Sequence, residues 1–153
     1  MSAEARIEAL GIELPDAPAP LATYSSAVRT GNLLYISGQG PMADGKVLIK
    51  GKVGDTVSEE QGAEAARLGA INALAVIRQA LGGLDRVARV VKLNAYVNCI
   101  DSFERQHVVM NGASELLVAI FGEKGRHARA AVGTNALPMG IPVELELIVE
   151  VAE

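Results

Sequence analysis

The stretch VELELIVEV, residues 143–151, places Val143, Leu145, Leu147, Val149 and Val151 on one side of an extended chain and Glu144, Glu146, Ile148 and Glu150 on the other. A period of two belongs to a half-buried β-strand, so one face packs on a core and the other is largely carboxylate. RVVKLNAYVNC also reads as a strand, with Val90, Lys92 and Asn94 on one side and Val91, Leu93 and Ala95 on the other. Helical spacing takes over between Ala63 and Leu81, where Ala63, Ala66, Ala70, Leu74, Ile77 and Leu81 recur at three- and four-residue steps. Ser58-Glu59-Glu60-Gln61 ahead of that stripe has the form of a capping box, and Gly82-Gly83 stops it. Asp101 or Ser102 can cap a second helix that runs to about Phe121 and closes at Gly122.

Nearer the start, YSSAVRTGNLLYISGQG shows two short apolar runs around Thr30-Gly31-Asn32, the composition of a tight hairpin turn. The second run, Leu33 to Ser37, is followed by glycines that permit a close backbone approach, and a weaker strand lies near Lys46 to Lys50. A short helix over residues 2–10, capped by Ser2 and stopped by Gly11, precedes a Pro-rich connector. The element order is β-β-(β)-α-β-α-β-β, with two long helices able to cover one face of a mixed sheet. Residues 1–153 are expected to form one domain, residues 1–20 supplying the N-terminal helix and connector.

Composition narrows the partners. Half of the residues are hydrophobic but only five are aromatic, so Val, Ile, Leu and Ala must build the core. The net charge is -4 and the basic residues are scattered, which argues against a nucleic-acid partner. Cys99 is the lone cysteine, and the N-terminus has neither the basic start nor the apolar run of a signal peptide, so a cytoplasmic location is expected. No apolar run approaches the roughly 20 residues of a membrane span, and no membrane partner is expected.

The candidate chemistry is sparse. His107 and His127 are the only histidines, and their separation suits no metal motif. SGQGP follows a strand but lacks the spacing of a phosphate-binding loop. Arg129 stands out in ARAAVGTNALP, because a cation between small apolar residues is costly to bury unpaired. If this stretch is a strand in a hairpin with VELELIVEV, Glu144 and Glu146 can approach Arg129. The pair would then be a cross-strand ion pair, worth about 0.2–1 kcal/mol. The alternative is a fixed guanidinium that takes a ligand's carboxylate bidentately, with a glutamate beside it to handle water. Pattern alone does not choose between them.

Several segments in one register add to this. Tyr24 precedes Gly31-Asn32, Ser37-Gly38-Gln39 follows, then VVKLNAYVNCIDSF, then Arg129 with Leu137-Pro138 and the E-x-E of Glu144 and Glu146. Together they resemble the reactive intermediate deaminases, the Rid or YjgF family, also called endoribonuclease L-PSP-like. The resemblance implies an α+β, chorismate-mutase-like fold, a mixed β-sheet backed by two long helices, assembled as a homotrimer with ligand clefts between subunits. It also implies a hydrolase that limits metabolite damage by converting 2-imino acids, or their enamine tautomers, to 2-keto acids and ammonia without metal or cofactor. On the matching positions, Arg129 would grip the substrate carboxylate, Glu144 would orient water and Tyr24 would close over the ligand. Ser37, Gly38, Ala131 and Asn111 would line it, Gly38 and Ala131 through backbone groups.

This chain departs from the family pattern at Ala131, commonly Cys, and at Arg126-His127, where a Phe-Pro pair is frequent. It also carries the extra N-terminal helix and a longer segment between Phe103 and Arg129, marking a longer, divergent branch. A second implied reading is a non-enzymatic trimer that binds a small carboxylate in the same cleft. RNA cleavage, which the second family name evokes, finds little support in an acidic chain without a histidine pair.

Overall fold

The computed structural model describes Met1–Glu153 as four helices and seven strands. The helices are α1 (Ala3–Ala9), α2 (Glu59–Leu81), α3 (Gln106–Val109) and α4 (Asn111–Phe121). The strands are β1 (Ala27–Thr30), β2 (Leu33–Gln39), β3 (Met42–Ala43), β4 (Lys46–Val47), β5 (Val87–Asn98), β6 (Ala128–Thr134) and β7 (Val143–Val151). The main sheet is mixed, in the order β1-β2-β7-β5-β6, and β3 and β4 form a separate small hairpin. No helix is long and apolar enough to cross a membrane.

Local signals set most of these elements. Ser58 accepts from the Gln61 N–H while the Gln61 side chain accepts from the Ser58 N–H, completing the capping box, and Gly82 ends α2 in the left-handed conformation. Gly31, also at positive φ, and Asn32 form the two-residue turn between β1 and β2. In β7 the alternation is complete, every odd position being buried and every even one half-buried.

Both α2 and α4 pack on the same face of the sheet. Their contact is close: a Cβ on Gly112 would lie 2.0 Å from the Ala63 carbonyl oxygen, so that approach requires glycine. Leu74, Ile77, Leu117 and Ile120 from the helices meet Leu93, Leu145 and Leu147 from the sheet in the core, and Ile7 brings α1 into the same cluster.

Three expectations change. The second helix begins at Gln106, not at Asp101 or Ser102, and has no side-chain cap; it reaches Phe121 in two pieces joined at Met110. The register of β5 slips between Val90 and Lys92, which returns Val90 to the core face with Leu93 while Lys92 and Asn94 stay on the other. The third change matters most for function: β6 is not the hairpin partner of β7. It runs parallel to β5 at the sheet's edge, reached through the α3–α4 crossover, while β7 lies between β2 and β5.

Candidate functional site

The strand order decides which face Arg129 occupies. Cross-strand partners share a face, and Arg129 pairs with Leu93, which pairs with Leu147, which pairs with Ile36. Arg129 is therefore the polar end of an apolar row on the helix-covered face. Its guanidinium donates through Nη1 to Asn111 Oδ1 and Ser114 Oγ, both at 3.1 Å, and through Nη2 to the His107 carbonyl at 2.9 Å. No ion pair includes Arg129. Three neutral acceptors thus fix a half-buried cation without cancelling its charge, and Nε–H and one Nη2–H remain free of protein partners.

Ser114 is held in turn. His127 Nε2 lies 2.9 Å from Ser114 Oγ, and His127 Nδ1 lies 2.6 Å from the Gly125 carbonyl. Burial lowers the His127 pKa, the Gly125 carbonyl opposes that shift, and Arg129 adds to it. The imidazole is therefore neutral at pH 7.

Glu144 and Glu146 occupy the opposite face. Glu144 pairs with Tyr96, which pairs with Val132; Glu146 pairs with Asn94, which pairs with Ala130. The expected approach of these glutamates to Arg129 therefore does not occur within the chain, and the cross-strand ion pair is absent, because the sheet lies between them. Instead Asn94 Nδ2 and the Tyr96 hydroxyl donate to Glu146 Oε1 at 3.2 and 3.3 Å. Glu144 has no cationic partner, and burial together with the Glu146 charge raises its pKa above the ordinary carboxylate range. The same glutamate charges, with burial, push the Tyr96 phenol up.

Gly38 lies under Glu144, since a Cβ there would sit 2.6 Å from Glu144 Oε1. The bulge between Ile36 and Gln39 creates this approach, while the Ser37 hydroxyl donates to the Ser25 carbonyl at 2.6 Å. Tyr24, the residue before Ser25, is exposed, and its hydroxyl accepts from the Leu21 N–H at 3.3 Å.

The structure thus divides the candidate residues. Arg129, Ala131 and Asn111 lie on the helix side, Ala131 in the row of Ala95, Leu145 and Gln39. Gly38 and Glu144 meet across the open face, and backbone bonds tie Ser37 to the segment after Tyr24. Sequence reasoning assigned no binding or catalytic role to Ser114, His127, Asn94 or Tyr96. Ser114 had a usable signal, three residues after Asn111 on one helix face. Asn94 and Tyr96 had theirs in the alternation of β5.

No group of three or more His, Cys, Asp or Glu side chains is placed to hold a metal ion. A groove of about 500 Å³ between the helices, lined by Leu10, Glu64, Arg67 and Leu116 among others, contains none of the candidate residues.

Comparison with known proteins matches residues 4–151 to a family described as YjgF/chorismate mutase-like, putative endoribonuclease. The chain is 46% identical over 147 residues to Protein TCP17 of Trypanosoma cruzi, covering 95% of this chain and 92% of that one. It is 29% identical over 139 residues to a 2-iminobutanoate/2-iminopropanoate deaminase of Dermatophagoides farinae, covering 90% and 93%. A crystal structure of a putative endoribonuclease from Shewanella oneidensis superposes with a TM-score of 0.95 at 34% identity, covering 99% of this chain and all of that one.

Proposed function

Because the chain belongs to the YjgF/chorismate mutase-like family, the Rid proteins, we propose that it is a hydrolytic deaminase of 2-imino acids, acting in clefts between the subunits of a homotrimer. One observation carries this reading: a half-buried guanidinium, fixed by neutral acceptors, without a carboxylate of its own. Such a group is a site for an anion. Its free N–H groups can grip a planar carboxylate, leaving the rest of a small substrate to be placed by other groups. The named deaminase among the relatives supports the choice of substrate class.

Arg129 and Glu144 lie on opposite faces of one sheet, so a small ligand can meet both only if they come from different chains. The edge strand β6 and the exposed Val28, Tyr35 and Val132 supply surface for such an assembly.

The reaction then asks little of the protein. Arg129 holds the carboxylate of the iminium acid, and Glu144 accepts a proton from water as its oxygen attacks the iminium carbon. The carbinolamine nitrogen takes that proton back from Glu144, the C–N bond breaks as the hydroxyl oxygen forms the carbonyl, and the hydroxyl proton passes to the departing ammonia, leaving a 2-keto acid and ammonium. Burial and a like charge raise the pKa of Glu144, which makes it a stronger base toward water than an ordinary carboxylate. Positioning and a prepared charge environment account for the rate.

Coupling the protein to a threonine dehydratase and following loss of the imine tests this. Wild type should accelerate hydrolysis, Arg129→Ala should abolish the acceleration, and Arg129→Lys should recover little because it lacks the fork. Equal rates for wild type and Arg129→Ala would refute the enzyme. Thermal stabilisation by 2-oxobutanoate that depends on Arg129 but comes without deamination would identify a carboxylate-binding regulator instead.

A further inference from the structure

Arg129 is an effective clamp only if its fork points one way, and the groups that aim it extend beyond its direct contacts. The Gly125 carbonyl can only accept, so His127 must carry a proton on Nδ1 to bond it across 2.6 Å. A neutral ring with that proton on Nδ1 has a lone pair on Nε2, 2.9 Å from Ser114 Oγ. The Ser114 hydroxyl proton is then drawn toward the ring, and the oxygen presents a lone pair to Arg129 Nη1 at 3.1 Å.

We infer that Ser114 and His127 are positioning residues for Arg129: the Gly125 carbonyl fixes the tautomer of His127, and His127 fixes Ser114 as an acceptor aimed at the guanidinium. Asn111 takes the other Nη1 hydrogen and the His107 carbonyl one Nη2 hydrogen. With those three hydrogens engaged, rotation about the Nε–Cζ bond is blocked and the ligand-binding hydrogens are presented in one orientation. A freely turning Ser114 hydroxyl could direct its own proton at Arg129 for part of the time, and the clamp would loosen. His127 stands two residues before Arg129 on the approach to β6, and Ser114 stands three after Asn111 on α4. Strand and helix thus each supply part of the arrangement. In the Arg129 clamp this inference rests on the deaminase reading, but the positioning can be read without activity.

The experiment combines nitrogen-15 NMR with ligand binding on the full-length protein. In wild type the His127 ring should show the proton on Nδ1 at pH 7.5, and the Arg129 Nη hydrogens should give separate, slowly exchanging signals. Ser114→Ala and His127→Leu should average those signals. Ser114→Ala loses a hydrogen bond to a charged group and His127→Leu leaves that bond unaimed, so each should also weaken 2-oxobutanoate binding and raise the imine KM, by about tenfold for Ser114→Ala, while kcat stays within about twofold. His127→Gln, whose amide oxygen can occupy the place of Nε2, should restore most of the affinity where His127→Leu does not.

A His127 proton found on Nε2, or identical behaviour of His127→Gln and His127→Leu, would overturn the inference. So would a loss confined to kcat. Should wild type neither bind 2-oxobutanoate nor hydrolyse the imine, the function falls, while the two NMR signatures still decide the positioning.

Discussion

The two faces of the main sheet differ in how their charges are treated. On the helix side, apolar rows end in a single cation, Arg129, which three neutral acceptors hold in place. On the open side, two carboxylates stand side by side on β7, Glu146 bonded by Asn94 and Tyr96 and Glu144 left with a raised pKa. A protein organised only for its own stability would gain by bringing these charges together, and this topology keeps them apart. In the proposed deaminase each face is half of a site: the covered face supplies rigidity, and the open face supplies a carboxylate to exchange a proton.

Substitutions that exchange these properties test the contrast. The largest effect should come from the covered face, where Gly112→Ala would push a methyl group to within 2.0 Å of the Ala63 carbonyl oxygen. Parting α2 from α4 should cost about 3 kcal/mol in denaturant unfolding, a typical upper value for overpacking. Because Asn111 and Ser114 ride on α4, keto-acid binding should weaken as well.

On the open face the comparable change is milder. Gly38→Ala meets a flexible carboxylate, 2.6 Å from the added Cβ, and Glu144 can swing away. Stability should change little while kcat falls about tenfold, since a displaced base loses much of its contribution. Measuring kcat and melting temperature together separates the two glycines.

The smallest effect concerns pH. Glu144 must be ionised to accept a proton from water, so activity should rise with pH through its pKa, which lies above the ordinary range. Glu146→Gln removes a like charge that contributes to that elevation. The acid limb of the rate profile should then move to lower pH, with the maximal rate little altered. An upward shift would contradict the assigned electrostatics.

What the chain reveals before folding is mostly local. The alternation in β7, the capping box at Ser58 and the Gly31-Asn32 turn are each decided by a few neighbouring residues, and all three elements form as expected. Strand order is a matter of distant partners, and there ARAAVGTNALP misleads: its short connection to β7 looks like a hairpin, while its own residues are too small to mark a buried face. A signal for the correct pairing did exist. A helix long enough for a crossover separates β5 from β6, and strand-helix-strand units pair in parallel.

Of the candidate residues, Arg129 was conspicuous as a cation among alanines, and Glu144 as part of a carboxylate-bearing strand face. Their placement on opposite faces follows only from the sheet order. His127 and Ser114 were invisible as a pair because their meeting depends on how α4 packs against the entry to β6.

In the proposed assembly one chain carries two halves of a site, each completed by another chain. Subunit complementation tests it most directly: Arg129→Ala and Glu144→Gln, each inactive alone, are unfolded together, refolded as a mixture and assayed for imine hydrolysis. In a ring of three with head-to-tail contacts, about one site in four should combine an intact Arg129 from one chain with an intact Glu144 from its neighbour. Activity returning toward a quarter of the wild-type value is the predicted result. A mixture as inactive as either variant alone would contradict it.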